Sequence, residues 1–348
     1  MKIRLVLSFL LLASALNVYS QDPQIQWQNT IGGSENDVLY AVVQTLDGGY
    51  ILGGVSESNI SGDKTENSVG FTDYWIVKID VSGNIEWQNT IGGFSTERLR
   101  AVFQTSNGDY IIGGSSFSNI GGDKTEDSNG QSDYWVLKLN NSGNIIWQNT
   151  IGGNSGENLN SIIPTVDDGF LIGGSSSSDI SGDKTENSNG GGDYWIVKLN
   201  AEGEVQWDKT IGGFRDDDLE SIAQTLDGGF ILGGSSDSDI SGDKTENSNG
   251  DYDYWVVKTD EFGNIEWQNT IGGDQGDELH EIIQNVDGSY ILAGDSNSNS
   301  SGDKSENKIG SPDYWIIKLD EPKRSKLCNS NRRRRLFGRR MVRWRYIG

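Results

Sequence analysis

An all-β fold built from about five copies of one four-stranded sheet is predicted by three observations. Trp27, Trp87, Trp147, Trp207 and Trp267 stand 60 residues apart, and Trp75, Trp135, Trp195, Trp255 and Trp315 keep the same interval. No part of the repeat shows the i, i+3, i+4 apolar spacing of a helix. Short runs rich in β-branched and aromatic residues alternate with clusters of glycine, aspartate and serine. An uninterrupted period of this length marks one unit copied along the chain. Four antiparallel strands per unit describe the blade of a β-propeller better than a sandwich or a solenoid.

The first unit gives the pattern. Val38 to Thr45 is a β-type run, Leu46-Asp47-Gly48-Gly49 turns the chain, and Tyr50 opens a second run. An Asp-Gly pair there predicts a type I′ hairpin, which needs positive φ at both centres. The other copies place Asn107-Gly108, Asp168-Gly169, Asp227-Gly228 and Asp287-Gly288 at this turn. Ser56 to Thr72 is a polar loop without apolar period. Asp73 to Ile79 is the third strand, Ser82-Gly83-Asn84 a tight turn, Ile85 to Ile91 the fourth strand, and Gly92-Gly93 its end. The repeat region, Gln21 to Asp320, starts with a fourth-type strand around Trp27 and finishes with a third-type strand around Trp315. The N-terminal strand can therefore complete the last blade, closing the ring and removing its sheet edges. The ten tryptophans are expected in the core between blades, each burying about 150–250 Å², an upper bound of roughly 4–6 kcal/mol. An exposed aromatic rim for sugars is the alternative.

Residues 1–20 have the plan of a secretory signal: Lys2 and Arg4, an apolar stretch from Leu5 to Leu16, and Val18-Tyr19-Ser20 suited to cleavage before Gln21. That stretch is too short to span a bilayer, and no later segment is apolar enough for a membrane helix. Gln21 to Asp320 holds 15 Lys/Arg and 50 Asp/Glu, a net charge of −35. Such a body disfavours nucleic acid and anionic membranes and favours cations. Cys328 is the only cysteine, so no disulfide braces the fold. A secreted or cell-surface monomer that meets an extracellular glycan or protein is the expectation.

The tail, residues 321–348, reverses the charge, with 11 Lys/Arg against Glu321 alone. Its arginine run, Arg332 to Arg335, begins where the period expects Gly-Gly. Glycine codons read one base early can give arginine, so the tail reads as an out-of-frame continuation of the repeat. A basic arm folding onto the acidic body is the rival.

Strand order puts the long Ser56–Thr72 loop and the short Gly92–Glu97 loop of each unit on one face, where binding is expected. The long loops repeat Gly62-Asp63-Lys64-Thr65-Glu66-Asn67-Ser68 almost verbatim. Asp63, Thr65 and Asn67, and the equivalent Asp123, Asp183, Asp243 and Asp303, offer alternating oxygen ligands suited to Ca2+. A turn held by side chain-to-backbone hydrogen bonds fits the same residues. Carboxylates for a glycosidase are available in Asp216-Asp217-Asp218 and Asp277-Glu278. The single histidine, His280, has no identifiable nucleophile beside it, and no catalytic residue is assigned. The Ile-Gly-Gly repeats lack the strand–helix context of a phosphate loop.

The stretch Lys78-Ile79-Asp80-x-x-Gly83-x-x-x-Trp87 resembles the tryptophan-docking repeat of quinoprotein-like β-propellers, with one residue fewer between Asp and Gly. Copies are Asn140-Gly143-Trp147, Asn200-Gly203-Trp207 and Asp260-Gly263-Trp267. The resemblance implies that this tryptophan docks one blade on its neighbour, and it places no quinone cofactor. The complete unit, with WQNTIGG, DGGYILGG and DYWIVKID, is similar to secreted repeat proteins common in Bacteroidetes. These are often exported by type IX secretion, and the resemblance carries no catalytic residues.

Overall fold

The computed structural model describes residues 23–320; the expected signal segment and the basic tail lie outside them. The described residues form nineteen strands and no helix. β1 (Asp37–Gln44), β2 (Tyr50–Ser56), β3 (Asp73–Ile79) and β4 (Ile85–Ile91) make the first sheet, in that order. The second is β5 (Glu97–Gln104), β6 (Tyr110–Ser116), β7 (Asp133–Leu139) and β8 (Ile145–Ile151). The third is β9 (Glu157–Pro164), β10 (Phe170–Ser176), β11 (Asp193–Leu199) and β12 (Val205–Ile211). The fourth is β13 (Asp217–Gln224), β14 (Phe230–Ser236), β15 (Asp253–Thr259) and β16 (Ile265–Ile271). The fifth has three strands, β17 (Asp277–Gln284), β18 (Tyr290–Ser296) and β19 (Asp313–Leu319). The ladders are antiparallel, as Tyr50↔Ile79 and Lys78↔Trp87 illustrate in the first sheet.

The chain divides into two compact units, one running to Leu219 and including Ser241–Asp243, the other holding Glu220–Ile240 and the chain from Lys244. In the first unit, period-2 alternation on β3 explains how sheets meet. Tyr74 and Ile76 face the second sheet and join Leu99, Ile112, Trp135 and Leu137 in one core cluster. Trp75, Val77 and Ile79 face the other way and pack with Ile31 and Leu52. The Tyr74 and Trp135 ring centroids lie 5.1 Å apart, and the Tyr74 hydroxyl donates to the Trp135 carbonyl at 3.3 Å. Tyr134 and Trp195 repeat this at 5.0 Å and 3.1 Å. In the second unit Tyr254 and Trp315 do the same at 5.1 Å and 3.0 Å.

The third-strand tryptophans Trp75, Trp135, Trp195 and Trp255 are buried, and Trp315 is half-buried. The fourth-strand set, Trp87, Trp147, Trp207 and Trp267, is half-buried. Trp87 lies over Gly143 and Trp147 over Gly203, where a Cβ would come within 2.8–2.9 Å of the ring. At these positions the indole needs a residue with no side chain beneath it.

Three sequence expectations are corrected. Residues 23–33 are not in strand conformation. The segment nonetheless docks on the first sheet as a fourth strand docks on the next one: the Asn29 amide donates to the Gly83 carbonyl, as Asn149 does to Gly203 at 2.7 Å. Trp27 is 40% exposed. The hairpin is not type I′. Gly48 N–H bonds Thr45 O at 2.9 Å, and within the turn only Gly48 has positive φ, at 88°. That is a three-residue hairpin loop with one left-handed residue. In the third copy the left-handed position falls on Asp168, φ 64°, so Asp167-Asp168 is the equivalent of Asp47-Gly48, one residue earlier than the Asp-Gly spelling suggests.

Candidate functional site

The long loops are tightly self-bonded. Gly62, at φ 56°, lets the chain turn so that Asp63 N–H reaches the Gly32 carbonyl at 2.9 Å. The Asp63 carboxylate accepts from Gly32 N–H at 3.2 Å, Asp123 from Gly92 at 3.1 Å, and Asp183 from Gly152 at 3.1 Å. Asp243 accepts from Gly212 at 3.3 Å and Asp303 from Gly272 at 3.2 Å. Asn67 accepts from Ile60 N–H at 3.1 Å, and the Thr65 N–H is turned to Gln88 at 3.4 Å. The adjacent Glu66 caps Thr90 N–H at 2.6 Å. Asp63 and Asn67 thus spend oxygen lone pairs on amide donors, which is the turn reading of the motif. Burial raises the carboxyls of Asp123, Asp183 and Asp243 above the usual range. Among the described residues no group of three or more His, Cys, Asp and Glu gathers for a metal.

Two lysine series, missed in the sequence reading, hold the framework; the first is buried throughout, and in the second Lys78, Lys198 and Lys258 are buried. Lys64, Lys124, Lys184, Lys244 and Lys304, the lysines of the long loops, are all buried. Lys64 Nζ donates to Ser56 Oγ at 2.9 Å and Ser68 Oγ at 3.1 Å and lies 5.8 Å from the Trp75 ring centroid. Lys184, Lys244 and Lys304 sit 5.4–5.6 Å over Trp195, Trp255 and Trp315. Burial pushes the ammonium pKa of Lys64, Lys124 and Lys184 down. The second series is at the tight turns. Lys78 pairs with Asp47 at 3.0 Å and Glu86 at 2.8 Å, and Lys198 with Asp167 at 2.9 Å. The second copy swaps roles within the turn: Asn107 replaces the aspartate, and Asp109 supplies the carboxylate to Lys138 at 3.4 Å. The signal was legible, because both lysines recur in all five copies.

Two of the acidic candidates belong to the same framework, while Asp216 and Glu278 stand exposed and Asp218 is half-buried. Asp217 and Asp277 occupy the position of Asp37, Glu97 and Glu157, and all but Asp37 are fully buried. Each accepts the N–H of the second glycine of an Ile-Gly-Gly: Gly213 to Asp217 at 2.6 Å, Gly273 to Asp277 at 2.7 Å. The third strand of the first four sheets begins with a second buried carboxylate, Asp73, Asp133, Asp193 or Asp253. A Cβ on Gly92 would lie 1.9 Å from Asp73 Oδ1, and one on Gly93 2.3 Å from Ser118 Cβ, which explains the glycine pair. Burial pushes Asp253 up to about 6. His280 lies 3.3 Å from Asp295 and is half exposed. Each buried carboxylate recurs with the repeat, so none singles out a catalytic centre.

Non-repeated residues concentrate elsewhere. The short loops read Ser34-Glu35-Asn36, Phe94-Ser95-Thr96, Asn154-Ser155-Gly156, Phe214-Arg215-Asp216 and Asp274-Gln275-Gly276. Each follows an invariant Ile-Gly-Gly. Around them stand exposed apolar side chains: Phe71, Phe94 and Phe214, and the loop-tip isoleucines Ile60, Ile120, Ile180 and Ile240, which recur with the period until Ser300.

No family model matches the chain. It is similar to the regulatory protein FlaEY of Caulobacter vibrioides, 23% identical over 174 residues, which is 47% of this chain and 18% of that protein. The chain thus spans less than a fifth of that relative's length. Among solved structures it is similar to a protein of unknown function from Bacteroides caccae, with TM-score 0.41 and 9% identity over 82% of this chain and 83% of that one. An α-L-arabinofuranosidase from Lactobacillus brevis gives TM-score 0.40 and 10% identity over 81% and 89%. Likeness at this level carries neither substrate nor activity across.

Proposed function

We propose that the protein is a secreted or cell-surface β-propeller scaffold that binds an extracellular glycan or protein through its long-loop face. The carrying observation is the split between constant and variable positions. The buried carboxylates and lysines repeat every 60 residues and are accounted for by hydrogen bonds within the sheets and loops. The residues that differ between copies stand exposed on the short loops and loop ends, on a rigid base. Variable side chains on a fixed scaffold are the usual arrangement of a recognition surface. The sheets are read as blades, and the docking of residues 23–33 on the first sheet supports that segment as the outer strand of the blade before it. In a five-bladed ring that blade is the fifth, which has three strands of its own.

Glycan and protein arrays probed with the intact chain test this reading. Binding is expected, and replacing Ile60, Ile120, Ile180 and Ile240 by serine or Phe71 and Phe94 by alanine should weaken it without changing the melting temperature. A bound glycan is expected to be released intact. Hydrolysis would establish the carbohydrate-active alternative, and binding to nothing would leave a purely structural surface role.

A further inference from the structure

Apart from the two lysine series, residues 21–320 carry only Arg98, Arg100, Lys209, Arg215 and Lys308 as cations. Lys209 is paired with Glu186 at 2.8 Å. Arg98 and Arg100 are exposed, two residues apart on β5, and among the described residues neither has a carboxylate at ion-pair distance. Each guanidinium instead lies over an aromatic ring, Arg98 over Phe117 at 5.1 Å and Arg100 over Tyr40 at 5.2 Å. The neighbouring Glu97 is turned inward, bonded to Gly93 N–H and to the hydroxyls of Ser116 and Ser118, and does not neutralise them.

All four residues break the repeat. Position 98 is Val38, Asn158, Asp218 or Glu278 in the other copies, and position 100 is Tyr40, Asn160, Glu220 or His280. Phe117 stands where the others have Glu57, Ser177, Asp237 and Asn297. Arg100 is the extra residue of a β-bulge, between Leu99 and Ala101 in the pairing with β6. A bulge re-aims one side chain out of the strand's alternation. Phe71 and Phe94, 76% and 68% exposed, flank the same end of β5. Phe71 N–H bonds the Ser95 carbonyl at 2.7 Å, and Phe117 N–H bonds Thr96 at 3.0 Å, so all three phenylalanines gather on the loop that leads into Arg98.

We propose that Arg98 and Arg100, with the exposed rings of Phe71 and Phe94, bind an anionic oligosaccharide bearing carboxylate or sulfate groups. A guanidinium fork matches a planar or tetrahedral oxyanion with two parallel hydrogen bonds. Resting on rings holds both forks in place and leaves their N–H groups unspent. The chain's negative field repels anions, so two adjacent un-neutralised arginines select for a ligand that reaches them at contact range. The solvent-facing rings suit the apolar face of a sugar and have no counterpart in a purely ionic peptide patch. The inference deepens the binding reading by naming a ligand class and its contacts.

Titration calorimetry on the full chain tests it with oligogalacturonate, a sulfated oligosaccharide, a methyl-esterified oligogalacturonide and poly-glutamate. At least one of the two anionic sugars should bind, and which one identifies the oxyanion. The neutral ester should bind at least about tenfold more weakly. R98Q/R100Q should lose about tenfold or more with an unchanged melting temperature, and K308Q should lose nothing. Absence of binding to both anionic sugars, indifference to R98Q/R100Q, or poly-glutamate binding as tightly as the sugars would each overturn it. A neutral glycan bound without regard to R98Q/R100Q would overturn this site while preserving the scaffold reading.

Discussion

Lys64 and Lys78 are equally buried, 2% exposed each, near opposite ends of β3, yet their surroundings drive them in opposite directions. Burial lowers Lys64, and the carboxylates of Asp73, Asp37 and Glu66 offset that only in part, because its direct partners are serine hydroxyls and an indole. Burial acts on Lys78 too, but Glu86 and Asp47 in contact outweigh it and raise the ammonium. The turn end of the sheet is held by ion pairs that reach solvent. The loop end is held by a cage of neutral dipoles around a buried charge. A partly exposed ion pair can rehydrate when broken, whereas a buried cage leaves its members stranded.

The steepest way to break the comparison is steric. Gly92→Ala drives a Cβ into the buried Asp73 carboxylate of the loop end and should cost about 3 kcal/mol or more. Gly48→Ala at the turn end meets nothing within 4 Å and strains only a φ of 88°. It should cost about 1 kcal/mol in urea unfolding. Next come the lysines themselves. Lys64→Met should lose about 2–3 kcal/mol by stranding its hydroxyl and carboxylate neighbours. Lys78→Met should lose about 1 kcal/mol or less, since Asp47 and Glu86 are 58% and 44% exposed.

Smaller effects appear in pH dependence. The folded pKa of Lys64 lies below its ordinary 10.5, so its charge costs folded stability, a cost relieved as pH rises from the lowered value towards 10.5. Lys78 lies above 10.5, so its contribution is full below 10.5 and is lost as pH rises through the raised value. Wild type should therefore gain on Lys64→Met on approaching pH 10.5 and lose its lead over Lys78→Met beyond it. The fourth sheet repeats the contrast in acid. Asp253, at about 6, destabilises as it ionises between pH 3.8 and 6, so Asp253→Asn should remove a fall in stability across that window. Burial also acts on Asp227, but the Thr225 hydroxyl and Lys258 bring it to about 2; its contribution holds above pH 3.8 and disappears as pH falls through 2. The smallest effect concerns calcium. With loop oxygens already bonded to amides, millimolar Ca2+ should move the melting temperature by less than about 1 °C.

The strand positions were legible because apolar runs and turn residues recur on one period; of the tryptophans, Trp75, Trp135, Trp195 and Trp255 are buried, while the fourth-strand set and Trp315 are half-buried and Trp27 is exposed. The turn type was not, because an Asp-Gly pair serves both a two-residue and a three-residue loop, and Asp168 shows that even the glycine is dispensable. The buried lysines escaped because a lysine among Gly, Asp, Thr and Glu has the composition of a solvated loop. Only its strict recurrence above a tryptophan betrays it. Arg98 and Arg100 escaped for the opposite reason: they are departures, and their stacking on Phe117 and Tyr40 depends on a bulge and on a neighbouring sheet.

The most direct test of the contrast between the two ends is an NMR titration of 13Cε-labelled lysine between pH 7 and 12, with assignments from Lys→Met variants. Lys64, Lys124 and Lys184 should titrate below 10.5 and Lys78 above it. Titration of the long-loop lysines together with Lys78, at or above 10.5, would contradict a neutral cage and place carboxylates in direct contact with both series.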